Sequence, residues 1–446
     1  MSQTISSQPN RSLSRRNFLK LGGGLAAAAA GAYLVPQLVS ATRLTQKTTA
    51  PIINANGYHY HIAATDGWVY LPGQVDKEFN EIGPVTFHPD PAARSPQTTY
   101  AFGFRDVTNF ADTPNGLTAD EKVRAQANKV QASAPLLYAE ESQPLRITLT
   151  NLGLLQRPDL TDGHTVHFHG FPNAIPAYDG VPELSVGVPI GDSYTYYYIP
   201  HDPGTYMYHC HFEDVEHVSM GMTGVIFVRP AGQPKQAYGD ASTAFDREFP
   251  MILTEVWAQE RWRDAHIQEN DWSDYKPDFW AINGRVYPDT LAPNAPSQHF
   301  DPATGDLIAP AGRPELQYQP ISSLVTCNAG EKVLIRIANL GFQQQTMRAD
   351  GITFRIVGKD AKFLGPQAYD TDSFDVGVGE SFDAIFTAPP KTGAGYDTYV
   401  LHNSNLSRLH NPGATGYGGQ MTEIRVYAAG TVPTQTESNQ NFAETL

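Results

Sequence analysis

Short runs of alternating apolar and polar residues, separated by glycine and proline, dominate the chain from about residue 48 onward. Residues 145–150 and 193–199 show the two-residue period of strands that bury one face. The 38 glycines and 34 prolines supply frequent turns. A helical period is convincing only at residues 119–130 and, more weakly, at 258–271. This pattern predicts an all-β protein built from β-sandwiches.

An internal repeat divides the strand-rich region into two copies. Residues 144–153, PLRITLTNLG, resemble residues 332–341, KVLIRIANLG, and further matching segments follow in the same order. We therefore predict two copies of one sandwich, at residues 50–232 and 247–428. The polar segment at residues 431–446 is predicted to be a disordered tail.

The N-terminus has the features of an export signal. Residues 14–20 read SRRNFLK, an apolar stretch rich in alanine and glycine follows, and a small-x-small pattern ends it near residue 41. We interpret residues 1–41 as a twin-arginine signal peptide, which directs the protein to the periplasm or outside the cell. No later apolar run reaches about 18 residues, so we expect no integral membrane segment after signal removal.

Composition narrows the function classes. The chain of 446 residues has 31 Lys plus Arg against 46 Asp plus Glu, a net charge of −15, which argues against nucleic-acid binding. Two cysteines exclude a disulfide framework and a four-cysteine zinc site. The 14 histidines outnumber the cysteines seven to one, so the positions of histidine become the next question.

Nine side chains that can bind metal fall in two short segments of the first copy, residues 164–170 (HTVHFHG) and 208–222 (YHCHFEDVEHVSMGM). Successive side chains of a strand point to opposite faces, which separates His164 and Cys210 from the other strand histidines and predicts two sites, back to back. The loop that follows can add His217 and Met222 to the first site. One site has His164, Cys210, His217 and Met222. The other site has His167, His169, His209 and His211.

The two sets of ligands suit different chemistry. Two imidazoles, one thiolate and a weak thioether are the ligands of a blue-copper electron-transfer site, whereas zinc sites rarely recruit methionine. The spacing favours Met222 over Met220 as the thioether. Four imidazoles on one face suit copper that meets oxygen or another small oxidant. Cys210, between His209 and His211 in the chain, would connect the two sites.

The first copy resembles a cupredoxin domain of the multicopper oxidases. The similarity lies in HFHG, in the DGVP segment that begins at Asp179, and in PGTYMYHCH at residues 203–211. The resemblance implies two tandem cupredoxin-like Greek-key β-sandwiches. It also implies type-1 copper at the His/Cys/Met set, type-2 and type-3 copper at the four histidines, and proton handling by Asp179.

The second copy retains few of these ligands. Its aligned positions hold Gln345, Arg348, Asp350, Asn403 and Ser404, and only His402 and His410 persist. The layout also resembles the two-domain copper nitrite reductases, in which a neighbour in a trimer donates one type-2 histidine. When the sequence is aligned with that family, the resemblance implies that His169, His209 and His402 hold type-2 copper. The catalytic Asp and His of that family fall at His167 and Asp350, with their identities exchanged.

Other candidates have simpler interpretations. His59 and His61 alternate onto one strand face and could supplement the cluster, but an exposed strand pair is favoured. Cys327 is predicted to be a buried thiol, because Cys210 is committed to metal.

The leading hypothesis is an exported copper-dependent oxidoreductase of multicopper oxidase type. Electrons from a small molecule, a metal ion or a redox protein would reach type-1 copper, exposed near His217. They would pass through Cys210 to the His-rich site, where oxygen or another small oxidant is reduced. The alternatives are a nitrite-reductase-like type-2 enzyme and a blue-copper electron carrier or copper-binding protein. A homotrimer, with His402 acting within its own chain or across to the next, stays open.

Overall fold

A computed structural model describes residues 52–54, 57–72, 89–171, 174–295 and 299–442. The predicted signal peptide lies outside these described residues. Within them, no helix is long and apolar enough to cross a membrane.

The first half of the chain forms two sheets that enclose one core. The first sheet consists of β1 (Ile52–Asn54), β2 (Gly57–Val69), β3 (Thr99–Asp106), β5 (Leu145–Asn151) and β7 (Ser193–Tyr198). The second consists of β4 (Leu137–Glu140), β6 (His167–His169), β8 (Gly204–His209) and β9 (Thr223–Arg229). Apolar side chains of both sheets, such as Tyr60 and Tyr208, are fully buried between them, as in a sandwich.

The second half repeats this architecture. One sheet consists of β10 (Arg247–Val256), β11 (Phe279–Ile282), β13 (Lys332–Asn339), β15 (Phe354–Lys359), β16 (Lys362–Phe363), β17 (Tyr369–Thr371) and β19 (Ser381–Thr387). The other consists of β12 (Val325–Asn328), β14 (Gln345–Ala349), β18 (Ser373–Val376), β20 (Asp397–Asn403) and β21 (Met421–Tyr427). The all-β prediction with two tandem sandwiches is confirmed.

Helices are few and short. The described α-helices are α1 (Ala119–Arg124), α2 (Pro176–Asp179), α3 (Asp214–Met220) and α4 (Ala258–Ala265). Single 3₁₀ turns occur at Ala241–Thr243, Trp272–Asp274, Asp289–Leu291, Pro314–Leu316, Gly365–Gln367 and Leu406–Arg408. The two predicted helices form but are shorter than expected, because Asn128 (φ 63°) and Ile267 (φ 57°) adopt left-handed conformations that a helix cannot contain.

The repeat extends to individual hydrogen bonds. Asn151 donates through Nδ2 to the Val188 carbonyl (2.8 Å) and accepts at Oδ1 from the Gly153 amide (2.8 Å). Asn339 does the same with the Val376 carbonyl (2.9 Å) and the Gly341 amide (2.9 Å). The side chain therefore closes the same turn after the equivalent strand in both sandwiches.

A buried charged network joins the two sandwiches. Arg336 on β13 is fully buried, and its Nε donates to Glu248 Oε2 at 3.0 Å. Its Nη1 lies 3.2 Å from Asp383 Oδ1 and 3.1 Å from the hydroxyl of Thr205 on β8. Because β8 ends at a candidate ligand, this network also anchors the strand that leads into the metal region.

The predicted disordered tail is wrong for the part that the structure describes. Gln435, Ser438 and Asn439 are buried. The Gln435 side chain accepts from the Glu248 amide (2.7 Å), and the Ser438 hydroxyl accepts from Arg229 Nη2 (2.8 Å). The segment is polar because it satisfies buried polar groups of both sandwiches, which composition alone does not reveal. Residues 443–446 lie outside the described residues.

Arg336→Met is expected to lower the free energy of unfolding by about 3–5 kcal/mol, because it leaves buried Asp383 without its charged partner and removes one of the two arginines that pair with Glu248. Chemical denaturation of the purified protein measures this. The control is Arg355→Met, since Arg355 pairs with Asp370 at an exposed position (3.3 Å) and should lose less than about 1 kcal/mol. Equal losses in the two variants would contradict the role given to the network.

We expect the ionisation of Glu248 to make the free energy of unfolding depend on pH. Burial by itself raises the pKa of this carboxyl, but Arg229 and Arg336 outweigh it and lower the pKa from 4.5 to about 2. A lowered pKa contributes stability that is present above pH 4.5 and is lost as the pH falls towards 2. The stability difference between wild type and Glu248→Gln, measured by urea denaturation, should therefore shrink as the pH falls below 4.5. A difference that stays constant would refute this linkage.

Candidate metal centres

The first site forms where Cys210 leaves the end of β8. Its Sγ lies 3.7 Å from His164 Nδ1 and 3.3 Å from His217 Nδ1. The ligand atoms of all three residues lie within 4.8 Å of one another, and none of the three is exposed. Residues from a bridge before β6, from the end of β8 and from α3 thus converge on one point.

Backbone hydrogen bonds bring Met222 next to this site. The Met222 amide donates to the His217 carbonyl (2.9 Å), and the Cys210 amide donates to the Met222 carbonyl (3.2 Å). Gly221 permits the turn between them, because it ends α3 in a left-handed conformation (φ 118°). Met222 and Met220 are both fully buried.

The electrostatics of Cys210 differ from those of an ordinary thiol. Burial by itself raises its pKa, but the imidazoles of His217 and His164 outweigh burial and hold the pKa well below its usual value. Burial lowers the pKa of His164. Cys327 is the contrast, since burial and the nearby Glu331 raise its pKa to about 12. Cys327 is a buried free thiol, as predicted.

His217 is not exposed, contrary to the expectation from sequence. It lies on α3 and is fully buried, and α3 begins within the segment that separates it from Cys210. Its Nε2 faces Asp162 Oδ2 at 3.7 Å, and the Asp162 side chain retains 14% exposure. Asp162 was missed in the sequence, although its position two residues before His164 is a usable signal.

The second site lies on the opposite face of the same strands. Across β6 and β8, His167 pairs with His209 in the strand register, and ligand atoms of His167, His169 and His209 lie within 4.8 Å of one another. The Nε2 atoms of His169 and His209 are 2.9 Å apart. The strand alternation therefore builds two back-to-back clusters.

Backbone carbonyls orient the rings of the second site. His167 Nδ1 donates to the Asp179 carbonyl (2.6 Å), and His209 Nδ1 donates to the Cys210 carbonyl (2.7 Å). Gly180 is required here, because a Cβ would lie 2.2 Å from the Val166 carbonyl oxygen. The Asp179 carboxylate is farther away, 3.8 Å from His167 Nδ1. Such carbonyl contacts are typical of histidines that bind metal through the other nitrogen.

Burial keeps this cluster neutral. It lowers the pKa of His167 and of His169, and together with neighbouring imidazoles it lowers the pKa of His209 to about 3. Neutral imidazoles are the form that binds metal.

His211 stands beside this cluster without joining its convergent group. Its ring centroid lies 5.0 Å from that of His167 and 5.6 Å from that of His209. Its Nδ1 faces Asp214 Oδ2 at 3.9 Å. A cavity of about 550 Å³ opens next to the cluster, with His167 and Asp179 on one side and Lys362 of the second sandwich on the other.

The chemistry of the donor atoms fits copper at both sites. One thiolate with two imidazoles and an adjacent thioether matches a type-1 set, and a group of imidazoles without sulfur suits type-2 or type-3 copper.

The second sandwich has replaced its equivalent of the first site with a polar network. Asn403 stands where the first sandwich has Cys210, and its Nδ2 donates to Gln345 Oε1 and to Gln420 Oε1, each at 2.7 Å. The Asn403 amide donates to the Gln420 carbonyl (3.0 Å), which repeats the bond between Cys210 and Met222. These amides satisfy one another and leave no thiolate for copper.

His402 and Asp350 remain apart from both clusters. His402 Nδ1 donates to the Asn403 carbonyl (2.8 Å), which repeats the orientation of His209. Asp350 is exposed and forms an ion pair with Arg348. Among the described residues, neither His402 nor Asp350 belongs to a convergent group of ligand atoms.

His59 and His61 also lie away from the second site. Their Nε2 atoms pair with the hydroxyls of Thr148 (2.9 Å) and Thr150 (2.8 Å) on the neighbouring strand. Among the described residues they are in no metal-binding group.

Solved structures share this fold. A blue copper oxidase from Nitrosomonas europaea superimposes with a TM-score of 0.55 at 19% identity, over 82% of this chain and 85% of that one. A copper nitrite reductase from the same organism gives 0.51 at 14% identity, over 86% and 97%. At these identities the similarity shows the fold alone, which is the cupredoxin-like pair of sandwiches predicted from the sequence.

Curated relatives are similar over part of their length. A laccase from Cryphonectria parasitica is 25% identical over 286 residues, 63% of this chain and 40% of the relative. Copper resistance protein A from Escherichia coli is 26% identical over 298 residues, 63% of this chain and 45% of the relative. The chain spans less than half the length of these two relatives.

Profiles of two sequence families, each described as multicopper oxidase, match residues 116–233 and 249–428. The two matches include both metal clusters, part of the first sandwich and nearly all of the second, and together they span more than half of the chain. The protein therefore belongs to the multicopper oxidase family.

Proposed function

We propose that this protein is an exported copper-dependent oxidoreductase of multicopper oxidase type. The observation that carries the proposal is the pair of back-to-back ligand clusters joined by Cys210. The proposed type-1 ligands are His164, Cys210, His217 and Met222. The proposed ligands of the second site are His167, His169, His209 and His211.

Copper, when bound, would supply one-electron oxidation of a donor and reduction of oxygen or another small oxidant. Cys210 offers its sulfur to the first site, and its carbonyl orients His209 of the second site. Peptide bonds also join it to His209 and His211, so one short stretch of chain connects the sites. The adjacent cavity, which His167 lines, is large enough to admit a small oxidant.

We propose roles for two acidic side chains, one next to each metal site. The Asp179 carboxylate lines the same cavity and lies near His167, so it can hold a proton at Oδ1. Near the first site, the side chain of Asp162 is partly exposed and lies against buried His217. We propose that electrons from the donor enter the first site at Asp162. The donor is a small molecule, a metal ion or a redox protein.

The proposed location follows from the twin-arginine segment at residues 1–41, which would send the folded protein to the periplasm or outside the cell.

One observation favours a second candidate, a nitrite-reductase-like enzyme with a mononuclear type-2 site. Among the residues that the structure describes, three imidazoles converge in the second cluster, and His211 turns Nδ1 towards Asp214. His402 has the orientation of a ligand, so a neighbouring subunit of a homotrimer could supply it. A blue-copper electron carrier or copper-binding protein would use the first site alone.

Copper content and colour test the proposal. We expect about four coppers per chain for the oxidase, about two for the nitrite-reductase-like layout and about one for a carrier, with an absorption band at ~600 nm from thiolate-bound copper. Cys210→Ser should abolish the band, while Cys327→Ser, which alters the other buried thiol, should keep it. A copper-loaded wild type without this band would refute the type-1 assignment.

Loss of one imidazole should separate the two sites. His209→Ala is expected to deplete copper from the second site and to keep the blue band, because the first site retains all its ligands. His402→Ala should behave likewise if His402 completes the second site, whereas His410→Ala, at an exposed position, should leave the copper content unchanged. Unchanged copper content and turnover in His402→Ala would exclude it as a ligand.

A further inference from the structure

Helix α4 belongs to the second half of the chain but packs against the first sandwich. It follows β10, and Ala265 at its end is part of the first sandwich's core. Three charged residues of this short helix, Glu260, Arg261 and Asp264, are buried. Burying charged groups costs free energy unless they have partners, so their contacts indicate what the helix holds.

Two of these side chains bind the same residue of α3. The Ser219 hydroxyl donates to Glu260 Oε2 at 2.6 Å. Arg261 Nη2 donates to the Ser219 carbonyl at 2.7 Å, and its Nη1 donates to the Tyr100 carbonyl on β3 at 3.0 Å. Ser219 is therefore held through its side chain and its backbone, and Arg261 ties it to the first sheet.

A second contact holds α3 one turn earlier in the chain. Arg157 forms an ion pair with Asp264 of α4 and lies 3.4 Å from Glu216 Oε1 through Nη1. Gln156, next to it, donates through Nε2 to the Ala265 carbonyl at 3.1 Å. The two contacts reach Glu216 and Ser219, which flank His217 in the chain.

The segment held in this way carries His217 and leads into the turn before Met222. Backbone bonds already join His217 to Met222 and Met222 to Cys210. A tilt of α3 would therefore displace His217 and the turn before Met222 together. The ring of His217 also packs edge-on against Phe102, at 5.8 Å between centroids, so its position depends on how α3 lies on β3.

We propose that Glu260 and Arg261 are positioning residues for the first metal site: they hold α3 in the orientation that aims His217 Nδ1 at Cys210 Sγ. Ligand geometry in a functional site depends on supporting contacts of this kind. The identity of the metal rests on the proposed function, but the positioning role can be measured without metal.

Metal-free protein provides the first test. Wild type and Arg261→Met are treated with iodoacetamide, and the modification of Cys210 and Cys327 is followed by peptide mass spectrometry. Loss of the Ser219 and Tyr100 contacts should raise the rate at Cys210 relative to Cys327 by about tenfold, because local opening becomes more frequent. A ratio within about twofold of wild type would overturn the proposal.

Two controls separate positioning from general destabilisation. Arg247→Met removes the ion pair of buried Arg247 with Glu331 inside the second sandwich and should not raise Cys210 modification selectively. Gln259→Ala alters an exposed position of the same helix and should match wild type. A selective rise at Cys210 in Arg247→Met would show that any loss of stability exposes this thiol, and it would overturn the proposal.

Copper-loaded protein provides the second test. Glu260→Ala should shift the blue absorption band and the copper hyperfine splitting, whereas Glu260→Gln, which keeps an oxygen acceptor for Ser219, should restore them. If Arg261→Met fails to fold, Ser219→Ala takes its place. Its spectra should shift in the same direction as those of Glu260→Ala. Identical spectra in all these variants would refute positioning. A wild type without the blue band refutes the copper assignment, while the thiol measurement still decides the role of the helix.

Discussion

The metal region depends on one covalent constraint: His209, Cys210 and His211 are consecutive residues at the end of a strand. Neighbouring side chains at such an end point to opposite faces. The cysteine sulfur therefore faces His164 and His217, while His209 faces His167 and His169. Neither cluster can move without the other, because the Cys210 carbonyl also fixes the ring of His209. Two sites with different donor atoms thus share a single support.

The second sandwich has lost almost every ligand and has kept mechanical roles. Its counterpart of the first site is a set of mutually hydrogen-bonded amides around Asn403, which is a satisfied polar core and not an empty metal site. Buried Arg336 reaches across to β8, and α4 reaches across to α3. The second half, whose described residues form no metal-binding group of their own, therefore supports the strand and the helix that present ligands in the first half.

Sequence reasoning was strongest where chemistry and chain geometry are local. Alternation along a strand places His167 and His169 on one face and Phe168, between them, on the other face. The assignment of ligands to two faces therefore follows from their spacing. It was weakest where a distant segment decides the outcome. The polar segment around Ser438 looked disordered because its partner, the Arg229–Glu248 pair, lies far away in the chain. The burial of His217 was also missed, because the residues between Cys210 and His217 do not show that a helix begins there and that its imidazole is buried.

The sequence by itself determined the all-β fold, the internal repeat and the division of the ligands into two sets, since these follow from local periodicity and from adjacent residues. Only the tertiary structure decided which imidazoles converge, that His211 and His402 stand outside the convergent trio, and that Asp162 and α4 adjoin the first site. The physical reason is that side chains from strands and helices far apart in the chain must pack before their distances are defined. Burial and hydrogen bonding between those distant segments, and not residue identity alone, then establish the orientation and charge of each ligand.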